Sequence, residues 1–247
     1  MSSWRARRWA ASGAVLLGFA GLAIATHTGS ASSEIRTLRT TTSTGRQGAY
    51  YIPQASASEA LPLLVFLHGS GGKGSTALLK LRDLAERERF IAIAPDSVSV
   101  AGTWLVDPRA DGVTEDYRHV MDCVREVFAL PDVRADRRQV VIAGFSVGSG
   151  AAAHLASHEE AFTAFAVLHG HVSTDILGPR RPRGWLSTGD QDRLRTAASM
   201  KALGDELRMR DRFAELETRV FRGGHSLGED ELAALVAWWL RRERRGA

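Results

Sequence analysis

A chain of 247 residues with 44% apolar and 24% charged positions has ordinary globular composition and is long enough to bury one sizeable core. Its formal charge of +4 is concentrated at the start. Without residues 1–25, which hold three arginines and no acid, the charge is +1, and bulk attraction for nucleic acid or anionic lipid is excluded.

The first segment, residues 1–31, sets Arg5, Arg7 and Arg8 before an apolar run from Ala10 to Ala25, followed by small and polar residues. This order predicts an export signal. The run is shorter than the ~20 residues of a usual spanning helix, so cleavage after Ala25, or after Ala31, is expected rather than a permanent anchor. An uncleaved segment is the one route by which the chain would touch a membrane. The destination is then secretion, or the periplasm and cell envelope. Residues 32–46 are rich in Ser and Thr and read as a flexible lead-in, which leaves 47–247 as the folded domain.

From there, apolar runs of strand length alternate with amphipathic segments of helix length. "GAYYIP" and "LPLLVFLHG" precede a helix over 75–89, "FIAIAPD" a helix over 114–129, and "QVVIAGF" a helix over 147–157. "AFAVLHG" and "RGWLSTG" then precede a helix over 197–212, and "LETRVF" a helix over 229–242. Short, almost wholly apolar strands between helices predict an α/β, doubly wound, mostly parallel sheet with helices on both faces. Cys123, the only cysteine, recurs with Val120, Val124 and Val127 at helical spacing and reads as a buried thiol without a disulfide partner.

Ligands of such sheets collect at the carboxyl ends of the strands. After "QVVIAGF" stands Gly144-Phe145-Ser146-Val147-Gly148, a G-x-S-x-G pattern placed between a strand and a helix. Two residues without side chains let the backbone close sharply while the Ser146 hydroxyl protrudes. A serine hydroxyl needs a general base, and the base needs an orienting acid. His225, in "RGGHSLG" after the last strand, is placed as the base, and "STGDQDRL" offers Asp192 or Asp190 as the acid. An oxyanion calls for backbone donors: the N–H of Val147, and that of Ser70 or Gly71 in "FLHGSGGKGS". That glycine run lacks the G-x-x-x-x-G-K-[ST] form of a phosphate loop.

Through "LLVFLHGSGG", "IAPDS", "GFSVGSGAA", "STGDQDRL" and "GGHSL" the chain resembles the α/β-hydrolase superfamily over about residues 48–242. Within it, the likeness is to small exported serine esterases of the polyhydroxybutyrate depolymerase, feruloyl esterase and phospholipase/carboxylesterase group. The resemblance implies an ester hydrolase working through an acyl-enzyme, with Ser146, His225 and, by the T-G-x-x-D-like stretch, Asp192 as the triad, and with oxyanion donors at Ser70 and Val147.

Only about 13 residues separate "AFAVLHG" from "RGWLSTG", too few for a large helical cap, so a minimal cap and an open cleft are expected. Substrate contact is assigned to Trp104, in the longest irregular stretch, and to Gly71 and His169. For Trp104 the alternative is a loop residue tucked into the surface. His169 and His171 have no third ligand at metal spacing, so neither a metal nor an organic cofactor is expected. The substrate is a small or extended ester. Two other readings share the fold: a serine peptidase or thioesterase, and a catalytically silent binding domain.

Overall fold

The computed structural model describes residues 34–54, 59–106, 113–131, 133–210, 213 and 215–240. The export segment and the end of the last expected helix lie outside these residues. Eight strands form one sheet: β1 (Arg36–Thr37), β2 (Gly48–Tyr51), β3 (Leu61–Leu67), β4 (Ile91–Pro95), β5 (Ala135–Phe145), β6 (Ala164–Leu168), β7 (Arg183–Gly189) and β8 (Leu216–Phe221). Among the described residues five α-helices join them: α1 (Gly74–Glu88), α2 (Glu115–Phe128), α3 (Gly148–His158), α4 (Ala197–Met209) and α5 (Glu229–Leu240).

The strand order is β1-β2-β4-β3-β5-β6-β7-β8. β2 runs antiparallel to β1 and β4, and every other neighbouring pair is parallel. This is the expected α/β, doubly wound architecture. The winding reverses between β3 and β5, and the carboxyl ends of those two strands carry Gly69-Ser70 and Ser146. A crevice for a ligand opens where the chain turns in opposite directions.

Alternation along the strands divides the core in two. Leu63, Val65 and Leu67 of β3 pack with Ile93, Ile142 and Val167 toward α2, α3 and α4, whose Val120, Val124, Leu155 and Leu203 complete that layer. Leu64 and Phe66 point the other way, to Leu78 and Leu81 of α1 and to Leu235, Trp238 and Trp239 of α5. Both faces are covered, which is why the strands read as unbroken apolar runs. Burial of each Leu or Val side chain contributes about 1.5–3 kcal/mol.

Local signals set the helix ends. Thr114 caps α2 by accepting the Tyr117 N–H at 3.2 Å, and Glu115 and Asp116 complement the positive end of the helix. Cys123 is buried in α2, and burial pushes its thiol far above the usual range, as expected of an inert structural cysteine.

Residues 34–46 are not the loose lead-in that their composition suggests. β1 pairs with β2, Leu38 is buried, and the Glu126 carboxylate accepts the N–H groups of Arg39 and Thr40 at 2.7 and 2.8 Å. A charged side chain from α2 supplies the tie, and nothing local to the segment announces it. Between β6 and β7 the chain has only a single 3-10 turn, Thr174–Ile176, and no inserted cap helices. Among the described residues, no helix is long and apolar enough to cross a membrane.

Candidate active site

Ser146 sits on the turn from β5 into α3 with φ at +53°. A non-glycine residue pays about 1–2 kcal/mol for that left-handed backbone, and the surroundings must hold it there. The Ser146 N–H donates to the Leu168 carbonyl at 2.8 Å, and its own carbonyl accepts the Ser149 N–H at 3.1 Å. The flanking glycines are required by contact. A Cβ on Gly144 would lie 2.1 Å from the Gly148 carbonyl oxygen, and one on Gly148 would lie 2.6 Å from that of Leu67. Gly144→Ala is therefore expected to destabilise the fold by more than about 2 kcal/mol. Thermal melts of the two proteins would show it, and an unchanged Tm would mean that the turn is looser than its contacts indicate.

The elbow presents the Ser146 hydroxyl to His225. Ser146 Oγ donates to His225 Nε2 at 3.0 Å, and His225 Nδ1–H donates to Asp192 Oδ2 at 2.8 Å. Because a carboxylate can only accept, the second bond places the imidazole proton on Nδ1 and leaves Nε2 free to accept from the serine. His225 stands on the β8–α5 loop, backed by the Phe145 ring at 5.2 Å.

Asp192 is buried on the β7–α4 loop. Its Oδ1 accepts the N–H groups of Leu194 and Arg195, each at 2.8 Å, and its Oδ2 accepts from His225, His169 and, at 3.3 Å, Thr188. Burial opposes the charge, but the Arg195 N–H and the His169 and His225 bonds outweigh it and hold the carboxyl well below the ordinary range. Between the two acids left open by the sequence, Asp192 contacts the histidine. Asp190 instead accepts the Gly223 N–H at 2.9 Å and braces the loop that carries His225.

The loop after β3 is held from several sides. His68 Nδ1–H donates to the Gly69 carbonyl at 2.8 Å, and Nε2 accepts the Ser97 N–H at 3.2 Å. Burial lowers the proton affinity of this neutral ring. The Gly72 N–H turns back to the Gly69 carbonyl at 3.0 Å, and the Gly71 N–H is taken by the Ala101 carbonyl at 2.9 Å. Gly71 is thereby unavailable as an oxyanion donor. Among the described residues, neither the Ser70 nor the Val147 N–H is engaged by a protein acceptor.

Three expected substrate contacts are corrected. Trp104 is buried: its Nε1–H donates to the His68 carbonyl at 2.8 Å, and its ring stacks obliquely on His68 at 5.0 Å. It is the residue that fastens its loop, the alternative the sequence left open. Asp116 assists by accepting the Val98 and Leu105 N–H groups at 2.6 and 2.7 Å. Gly71 does not line the cavity beside His225. His169 is 1% exposed and faces away from solvent, with Nδ1 at 2.7 Å from Asp192 Oδ2 and Nε2 at 3.1 Å from Glu231 Oε2.

Glu231 escaped the reading of the sequence. Its signal is a carboxylate on the face of α5 that also carries Leu235 and Trp238, a stripe that is otherwise buried and apolar. His171 is exposed and joins none of these contacts.

Among the described residues, His169, Asp192 and His225 bring potential metal-ligand atoms within 4.8 Å of one another. Both rings aim N–H groups at the same carboxylate oxygen, so the donor set fits a hydrogen-bond relay better than a metal. The cavity beside His225 holds about 300 Å³ and is bounded by Phe66, Ser70, Leu81, Phe145 and Leu232, among others.

Residues 47–178, just over half of the chain, match the sequence profile described as Esterase PHB depolymerase. The chain belongs to that family. It is a carboxylic-ester hydrolase. The matched segment of this PHB depolymerase-family esterase includes Ser70, Ser146 and Val147 and stops before Asp192 and His225.

No curated protein matches by sequence. Among solved structures, a ferulic acid esterase aligns with a TM-score of 0.64 at 17% identity, over 84% of this chain and 96% of its own. An S-formylglutathione hydrolase from Staphylococcus aureus gives 0.64 at 14% identity, over 83% and 98%. A Pyrococcus horikoshii acylaminoacyl peptidase gives 0.63 at 15% identity, over 86% of this chain but only 41% of that protein. At such identities the likeness is one of fold, the α/β-hydrolase fold.

Proposed function

We propose that the protein is an exported serine esterase in which Ser146, His225 and Asp192 form the catalytic triad. The observation that carries this reading is the chain of hydrogen bonds from Ser146 Oγ to His225 Nε2, at 3.0 Å, and from His225 Nδ1 to Asp192 Oδ2, at 2.8 Å. Ser146 Oγ attacks the ester carbonyl as its proton passes to His225 Nε2. The carbonyl oxygen gains the negative charge and takes hydrogen bonds from the N–H groups of Ser70 and Val147, each such donor being worth about 10²–10³ in rate. Collapse breaks the bond to the alkoxy oxygen, which leaves as the alcohol with the proton from His225. Water then repeats the sequence on the acyl-enzyme and releases the acid.

Asp192 keeps the imidazole in the tautomer that both steps need and stabilises the cation formed in each. No metal or organic cofactor enters these steps. Export is supported by the arginines and the apolar run of residues 1–31. N-terminal sequencing of the protein recovered outside the cytoplasm is expected to begin after Ala25 or Ala31.

The chemistry is tested by labelling the folded protein with a fluorophosphonate and mapping the adduct by peptide mass spectrometry. A single adduct on Ser146, absent from Ser146→Ala and slowed in His225→Ala, is the expected result. A folded protein that takes no label would leave a binding domain as the reading. The same triad would serve amides or thioesters, and faster turnover of acyl thioesters or peptide anilides than of oxygen esters would redirect the assignment.

A further inference from the structure

The cavity beside His225 has a chemical bias. Phe66, Leu81, Phe145, Leu227 and Leu232 give it apolar walls. Lys73, the extended residue just before α1, and Thr76, Ala77 and Lys80 on its first two turns also border it, so two lysines line that wall. Among the described residues, no carboxylate borders the cavity and neither lysine is ion-paired. The first turn of α1 contains no acid, and its positive end adds to the field. Asp96, which accepts the Gly74 N–H, is turned toward Arg46 at 3.8 Å. On its far side Lys80 borders a second depression that contains Asp83 and Glu229, so Lys73 is the less encumbered of the two.

We propose that this cavity takes an ester whose apolar arm ends in a carboxylate, with Lys73 and Lys80 receiving that group while the carbonyl lies at Ser146. The inference rests on the serine esterase reading. It is tested by steady-state kinetics on mono-p-nitrophenyl esters of succinate, adipate, suberate and sebacate, each beside its methyl-capped, neutral counterpart.

Exposed ion pairs are worth little, so the expected preference in kcat/KM for the free acid is about fivefold at the best chain length. It should shrink in high salt and fall to about one in Lys73→Gln/Lys80→Gln. Equal turnover of acid and capped ester, or a preference that survives in the double variant, would overturn the inference and leave the esterase standing. Loss of turnover for every ester in the wild type would overturn both.

A separate observation concerns the group behind the triad. Both ring nitrogens of His169 face carboxylates, Asp192 at 2.7 Å and Glu231 at 3.1 Å, and all three side chains are at most 1% exposed. Glu231 Oε1 also accepts from Ser187 Oγ at 2.6 Å. The groups around His169 come from every element packed on it: Asp192 after β7, Glu231 on α5, His225 on the β8–α5 loop at 5.6 Å between rings, the neutral Ser187 of β7, and the edge of Phe145 from β5. Two carboxylates can be satisfied at once only if both nitrogens carry protons, or if Glu231 itself is the donor. Burial alone would favour the neutral ring, but the bonds to Glu231 and Asp192 prevail and raise its proton affinity.

We infer that His169 is a buried imidazolium clamped between Asp192 and Glu231, and that this cation fixes the Asp192 oxygen it shares with His225. His169 and Glu231 are positioning residues, since neither reaches the reacting atoms. In ¹⁵N-labelled wild-type protein at mildly alkaline pH, both ring nitrogens of His169, assigned by their loss in His169→Gln, are expected at imidazolium shifts.

In Glu231→Gln the cation loses its second anion and discharges. One of the two His169 ring nitrogens then shows the shift of an unprotonated nitrogen. A bare ring nitrogen on His169 in the wild type, or a folded Glu231→Gln in which both nitrogens keep imidazolium shifts, would overturn the inference. A purely structural role would lower Tm in Glu231→Gln without changing the His169 nitrogen shifts.

Discussion

Replacing Ser146 by Ala is expected to reduce kcat on p-nitrophenyl esters by about 10⁴–10⁶, to the residual rate that oxyanion donors and binding alone can sustain. The hydroxyl makes one contact, to His225 Nε2, so its removal leaves no buried polar atom without a partner. The left-handed backbone at φ +53° is tolerated by Ala no worse than by Ser. The melting temperature should therefore stay within a degree or so of the parent, which separates lost chemistry from lost fold. Residual turnover above about one part in a hundred, in protein free of wild-type contamination, would show that another group can attack the carbonyl and would remove Ser146 from the reaction as drawn.

Asp192→Asn is expected to cost about 10³–10⁴ in kcat, and unlike the serine variant it should also cost stability. The amide can still accept the Leu194 and Arg195 N–H groups through its oxygen, but its NH₂ would meet the N–H groups of His169 and His225 where the carboxylate now receives them. His225 would have to turn or change tautomer, and Nε2 could no longer take the serine proton.

Breaking a buried charge cluster in this way costs about 3 kcal/mol, which corresponds to a Tm lower by roughly 6–12 °C. The pH dependence follows from the same bonds. The Asp192 carboxyl is held below its ordinary range, so its contribution to stability is complete above that range and is lost only as pH falls through the depressed folded value. Loss of activity at mildly acidic pH therefore does not report protonation of Asp192. An Asn variant with unaltered Tm and a kcat within tenfold of wild type would remove Asp192 from the triad and reopen the case for Asp190.

Much of this protein was legible in its residues because the relevant physics is local. The unbroken apolar runs "LLVFL", "IAIAP" and "VVIAGF" demanded a sheet covered on both faces, and Val140–Ala143 are buried as that pattern required. Glycines at 144 and 148 signalled the elbow because a Cβ at either position would strike backbone within a few residues or on the adjoining strand. His225 could be chosen by its place after the last strand.

What the residues left open depended on contacts across long sequence separations. Asp190 and Asp192 stand two positions apart in one loop, and only the packing of that loop sends Asp192 inward to His225 while Asp190 ties down Gly223. Trp104 could have lined a cleft or sealed a loop, and the choice was made by the His68 carbonyl, 36 residues away. His169 directly follows a strand, where ligands of such a sheet collect, but Glu231, 62 residues further on, closes over it.

The sequence by itself determined the sheet, its two apolar faces, the turn that carries Ser146 and the place of His225 after the last strand, since propensity, alternation and glycine sterics act over a few residues. Tertiary structure alone decided which acid meets His225, that the Gly71 N–H is taken by Ala101 while that of Ser70 is left free, and that a histidine lies sealed between two carboxylates. Those outcomes depend on where buried polar groups find partners, and a buried polar group can be satisfied only by whatever the finished fold brings beside it.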